Sequence, residues 1–176
     1  MMRMSRSPQH AARCTYSDHH HSCARAMPQS LTKIILHIVF ATKNRKPFIY
    51  REVRPALFAY LAVVTRNLGC ECYRAGGVAD HVHLAVRLSQ TVSVAALVQE
   101  LKASSSKWLK TQSPTLSNFA WQRGYSAFSV RDSGLEIVIR YIENQETHHR
   151  KRSFKDEHRE TLQRERIAFD ERYVWD

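Results

Sequence analysis

GGVADHVHLAVRL, residues 76–88, carries two histidines inside a run that alternates like a β-strand. Successive side chains of a strand point to opposite faces. Val82, Leu84, Val86 and Leu88 therefore share one face, which predicts packing beneath helices. His81, His83, Ala85 and Arg87 share the other. A sheet needs only one face for its core, so the two imidazoles are expected side by side on the face left uncovered.

The rest of the chain supplies partners for this strand. LTKIILHIVFA (31–41) reads as a first strand, and 52–68 has helical spacing and ends at Gly69. CECYRAG (70–76) is a second strand, with 81–88 the third, and 92–110 is a second long helix. WQRGYSAFSV (121–130) reads as a fourth strand, interrupted by Gly124, which suggests a bulge or a close approach. A third helix is expected over 134–148, and a charged helix or arm over 153–169. The order β-α-β-β-α-β predicts an α+β, ferredoxin-like sheet with helices on one face and the other face open, followed by a C-terminal helix bearing Tyr141 and a charged tail.

Residues 1–26 stand apart. They hold four Arg, four His and one Asp with almost no aliphatic side chains, so they are expected to form a disordered extension, with Met27 an alternative start. The organisation expected is therefore 1–26, a main domain over 27–150, and a charged extension over 151–176. The net charge of +11 points to a polyanionic partner, nucleic acid first. No apolar run is long enough for a membrane span. Four cysteines without a disulfide pattern fit a reduced, cytoplasmic setting.

Two clusters carry chemistry. His81 and His83, at i and i+2 on a strand, are placed to ligate one metal ion. On the third helix Tyr141 and Gln145 are i, i+4 neighbours that project together. A tyrosine hydroxyl is a possible covalent nucleophile, but its ordinary pKa near 10 means that it needs help. An amide oxygen such as that of Gln145 suits a hard cation. Tyr125 is the rival nucleophile, with no Gln or Asn four residues on. Asp80 is a candidate support for a histidine ligand. His37 reads as a packed or hydrogen-bonded side chain, and His148 and His149 stay open between metal and DNA. Lys43, Arg45 and Lys46 form a basic turn suited to DNA phosphates, as do Arg150, Lys151 and Arg152.

From Met27 onward the chain resembles the single-tyrosine HUH transposases, small enzymes of simple bacterial insertion sequences, and their REP-associated relatives. HUH denotes His-hydrophobic-His, here His81-Val82-His83. The likeness runs through HIVFATKNRKPFI (37–49), GGVADHVHLAV (76–86), WQRGYSAFSV (121–130), YIENQETHHRKRSFKDE (141–157) and FDERYVWD (169–176), in that order. The resemblance implies Tyr141 as nucleophile, His81, His83 and Gln145 as metal ligands, and Mg²⁺ or Mn²⁺ as the ion. Ligand type alone leaves Zn²⁺ open. It further implies cleavage and rejoining of single-stranded DNA, with hairpins, through a 5′-phosphotyrosine link. The expected assembly is a homodimer in which the tyrosine helix of one subunit can serve the histidines of the other. The N-terminal extension is a departure that the family does not require.

Two other readings compete. One is a domesticated relative that processes a genomic hairpin repeat without moving itself. The other is a non-catalytic ferredoxin-like module that stacks single-stranded nucleic acid on exposed aromatics. The His, His, Ala, Arg face of the third strand favours metal chemistry over stacking.

Overall fold

The computed structural model describes residues 30–149 and 153–171. The expectations for residues 1–26 and for Arg150, Lys151 and Arg152 lie outside them. The described residues from Thr32 onward form one compact unit.

Four strands, β1 (Ile35–Ala41), β2 (Glu71–Gly77), β3 (His81–Arg87) and β4 (Ser126–Val130), make one sheet in the order β2-β3-β1-β4. Every neighbouring pair is antiparallel. Because β1 and β2 are separated by β3, and β3 and β4 by β1, each connecting helix crosses over a strand. This is the α+β, ferredoxin-like arrangement expected from the order of elements. Helix α1 (Arg54–Asn67) joins β1 to β2, and α2 (Val94–Gln112) joins β3 to β4. Pro55 sits in the first turn of α1, where its missing N–H costs nothing, and Gly69 closes the far end at φ +70°. Ser93 caps α2 by accepting the Ala96 N–H at 3.1 Å.

The core lies between the sheet and these two helices. Leu36, Ile38 and Phe40 of β1 and Val82, Leu84 and Val86 of β3 meet Leu57 and Leu61 of α1 and Leu97, Leu101 and Leu109 of α2. Each such buried side chain contributes about 1.5–3 kcal/mol of transfer free energy. The alternation read in residues 82–86 is thus the core face of β3.

The opposite face is not open. Helices α3 (Leu135–Glu143), α4 (Gln145–His149) and α5 (Phe154–Arg164) bring side chains against it. His81 and His83 are fully buried, at 0 % and 2 % exposure. The expectation of an uncovered pair is corrected, because the C-terminal elements fold back over the histidines. A glycine makes this approach possible. A Cβ at Gly76 would stand 2.7 Å from the Ile142 Cγ2 and 2.8 Å from its carbonyl oxygen. Bare backbone on β2 therefore seats α3.

Two further boundaries differ from expectation. Residues 121–125 precede β4, and only Trp121 makes an isolated bridge, to Thr42. Gly124 is accordingly no strand bulge. The helix expected over 134–148 divides at Asn144 into α3 and α4.

Candidate metal and tyrosine site

His81 and His83 project from β3, and their neighbours come from β1, α3, α4, α5 and the residue just before the strand. Asp80, just before the strand, meets the His81 Nδ1 at 2.8 Å. His37 of β1 places its Nε2 3.0 Å from the His83 Nδ1. Gln145, which begins α4, puts its Oε1 3.4 Å from the His81 Nε2 and 2.9 Å from the His149 Nε2. Tyr141 packs edge-on to His83 and His37, with ring centroids 5.4 and 5.7 Å away. Its hydroxyl donates to the Glu157 carboxylate of α5. Phe154, at the start of α5, lies 4.3 Å from the His81 ring.

The i, i+4 relation between Tyr141 and Gln145 survives the break at Asn144, since the Gln145 amide donates to the Tyr141 carbonyl at 3.4 Å. Ion pairs hold the same segment from outside. Arg54 meets Glu146 at 2.6 Å, and Arg74 meets Glu143 at 2.8 Å. Both pairs are partly solvated, so their value is orientation more than stability.

Burial dominates the electrostatics. It drives the His83 imidazole well below the usual histidine range, and the charges of His81 and His37 add to the effect. His81 is lowered as well, because burial outweighs its Asp80 partner. His37 falls to about 4, again through burial. These rings are therefore neutral at physiological pH and carry lone pairs. Burial alone would raise Asp80, but the His81 hydrogen bond and the Arg45 charge hold it below the usual carboxylate range. The Tyr141 hydroxyl is pushed upward by burial and by its bond to Glu157.

This arrangement fits a cation. The His83 Nε2 is buried and has no hydrogen-bond partner, a costly state for a polar atom unless something occupies its lone pair. His81, His83 and His149 each offer one ligand atom, and these lie within 4.8 Å of one another. The Asp80 carboxylate behind His81 is the outer partner that metal-bound histidines commonly have.

The structure brings together four residues singled out in the sequence, His81, His83, Tyr141 and Gln145, and it does so within one chain. Tyr125 is elsewhere, in a groove of about 480 Å³ with Lys102, Arg123 and Trp121. Of the basic turn, Lys43 and Lys46 are exposed. Arg45 is instead paired with Asp80 at 2.7 Å and stacked 3.8 Å over the Phe154 ring. The sequence reading assigned no role to Glu157 or Phe154, whose places depend on how α5 folds back. It left His149 undecided, although its i, i+4 spacing from Gln145 was a usable signal.

Comparison with known proteins gives concordant results. A family model described as "Transposase IS200 like" matches residues 30–145. The transposase for insertion sequence element IS200 of Salmonella typhimurium strain LT2 is 31% identical over 114 residues, which span 62% of this chain and 74% of the relative. The IS200 transposase of Salmonella typhi matches equally. Among solved structures, a protein of Deinococcus radiodurans R1 assigned as a transposase superposes with a TM-score of 0.53 at 24% identity, covering 68% of this chain and 98% of that one. A REP-associated tyrosine transposase bound to a REP hairpin superposes with a TM-score of 0.52 at 15% identity, covering 70% and 73%. Both structural likenesses speak to the fold.

Proposed function

The chain belongs to the family of IS200-like transposases, and from that premise we propose that it cuts and rejoins single-stranded DNA through a covalent link to Tyr141. The observation that carries this reading is the Tyr141 hydroxyl, hydrogen-bonded to Glu157 while its ring packs against the buried His83.

In the proposed reaction the Tyr141 Oη attacks a backbone phosphorus, the P–O3′ bond breaks, and a 5′-phosphotyrosine and a free 3′-OH remain. Glu157 takes the phenolic proton, and the departing 3′ oxygen takes one from solvent. A second 3′-OH reverses these steps and rejoins the strand, so the phosphoester energy is kept and no nucleotide cofactor is needed. His81, His83 and Gln145 would hold the divalent ion, Mg²⁺ or Mn²⁺. When bound, that ion supplies Lewis acidity at the scissile phosphate. Asp80 and His37 fix the two histidine rings from behind, and Arg45 offsets the Asp80 charge. A cavity of about 380 Å³, lined by His37, Tyr141, His148 and Glu157 among others, gives access to the phenol. Lys43 and Lys46 are available to phosphates, and Arg150, Lys151 and Arg152 are assigned the same task.

The substrate proposed is single-stranded DNA with a hairpin, in keeping with the REP hairpin to which the REP-associated tyrosine transposase is bound. Residues 27–150 would form the catalytic domain, with 1–26 and 151–176 as extensions, and the protein would act as a homodimer. Among the described residues no helix is long and apolar enough to cross a membrane. Against the stacking-module alternative stands the burial of the histidine face of β3. The test is incubation with single-stranded hairpin DNA and Mn²⁺. The expected product is an SDS-resistant protein–DNA adduct together with a fragment ending in a free 3′-OH. Intact DNA with no adduct would overturn the reading.

A further inference from the structure

We infer that His149 is a third imidazole ligand of the metal centre, and that the resulting set selects a first-row transition ion such as Mn²⁺ over Mg²⁺. The inference rests on the reading of His81 and His83 as metal ligands.

Three observations converge on His149. Its ligand atom lies with those of His81 and His83 within 4.8 Å. Ligand atoms this close together need only short side-chain movements to share one ion. Its Nε2 meets the same Gln145 Oε1 that His81 Nε2 faces, at 2.9 and 3.4 Å. Two imidazole nitrogens thus converge on one amide oxygen. The buried, unpartnered His83 Nε2 is the third nitrogen that such an ion would satisfy.

The neighbouring His148 has a different position. Its Nε2 lies 3.1 Å from Glu157, and its ring packs on Tyr141 at 5.4 Å. The His149 Nε2 also approaches Glu157, at 3.7 Å, but its ring packs on His81, with centroids 4.7 Å apart. Successive positions on a helix point about 100° apart, which turns one ring toward the tyrosine and the other toward the β3 histidines.

The donor types set the metal class. Mg²⁺ requires near-octahedral oxygen coordination and gives up its waters reluctantly. Three imidazoles and one amide oxygen are a poor match for it. Imidazole-rich sets favour first-row transition ions, whose affinities rise from Mn²⁺ toward Cu²⁺. Asp80 is engaged by His81 and Arg45, and the Glu157 Oε1 by Tyr141. The Glu157 Oε2 is buried without a hydrogen-bond partner, 3.7 Å from the His149 Nε2, so one carboxylate oxygen stands beside the imidazoles. Imidazole nitrogens still outnumber the oxygen donors.

The test uses the full chain and the metals alone. Mn²⁺ binding is followed by electron paramagnetic resonance of the free ion, and coordinated nitrogens are counted from hyperfine couplings in the bound spectrum. Expected are three nitrogen ligands, a loss of affinity of at least roughly tenfold to a hundredfold in His149→Ala, and little change in His148→Ala. A tenfold excess of Mg²⁺ should not displace Mn²⁺. Circular dichroism of each variant checks that α4 and α5 remain folded. If His149→Ala binds like the wild type with two nitrogens while His83→Ala does not bind, the third-ligand assignment is wrong and the two-histidine reading stands. Equal competition by Mg²⁺ refutes the selectivity. If His81→Ala and His83→Ala also leave binding unchanged, the parent reading of the site fails instead.

Discussion

The Tyr141 hydroxyl of α3 donates to the Glu157 carboxylate of α5, so the candidate nucleophile and a proton acceptor are joined across two separate helices. Burial raises the Tyr141 pKa, and at neutral pH the phenol attacks only if a base removes its proton in the same step. Glu157→Gln keeps the size and an accepting oxygen but removes the base. It should slow adduct formation by roughly 10²–10⁴-fold while the fold and Mn²⁺ affinity persist. Unchanged or faster cleavage in single-turnover assays would make Glu157 a clamp on the resting tyrosine, not its base.

Gly76→Ala should displace α3 from β2. The added Cβ would meet both the side chain and the carbonyl of Ile142, so relief by rotation of one side chain is not enough. Overpacking of this kind costs about 1–3 kcal/mol. The urea midpoint should fall with an unchanged m-value, and adduct formation should fall further because Ile142 adjoins Tyr141 in α3. Wild-type stability and rate would show that α3 yields there at no cost.

Stability of the metal-free protein should decline as pH falls from about 6.5 toward 4. His37 and His158 are both lowered to about 4, chiefly by burial. In that window the unfolded chain binds protons that the folded chain refuses, so unfolding free energy rises with pH. His37 alone adds a slope of at most about 1.4 kcal/mol per pH unit. Urea titrations in EDTA between pH 4.5 and 7.5 check this, and a profile flat down to pH 4.5 would contradict it.

Much of this was legible from sequence because period-2 and period-3.6 patterns report which face an element buries. Val82, Leu84 and Val86 are the instance for β3, and the order of elements gave the sheet. The cover over His81 and His83 was not legible. It depends on α3 and α5 folding back onto the sheet, which no local pattern encodes. Gly76 looked like the end of a strand, and its role as the seat of Ile142 emerges only in three dimensions. For the same reason the two histidines belong to the packing as well as to the site. Each is buried at the centre of a packed cluster, so His81→Ala and His83→Ala should leave a cavity as well as remove a ligand.

One chain brings Tyr141 against its own His83, while the resemblance allows the tyrosine helix of one subunit to serve the histidines of the other. Mixing Tyr141→Phe with the His81→Ala/His83→Ala double variant should therefore give no recovery of cleavage after verified subunit exchange. Recovery would mean that α3 leaves its Gly76 seat and serves a partner.

The most direct measurement is the identity of the residue that carries the DNA. Wild-type, Tyr141→Phe and Tyr125→Phe proteins are incubated with 5′-labelled and 3′-labelled single-stranded hairpin DNA and Mn²⁺, and SDS-resistant adducts are digested and sequenced. The account predicts a 5′-phosphate linked to Tyr141, present in Tyr125→Phe and absent from a folded Tyr141→Phe that still binds DNA. An adduct that persists in Tyr141→Phe, or that maps to Tyr125, would contradict it.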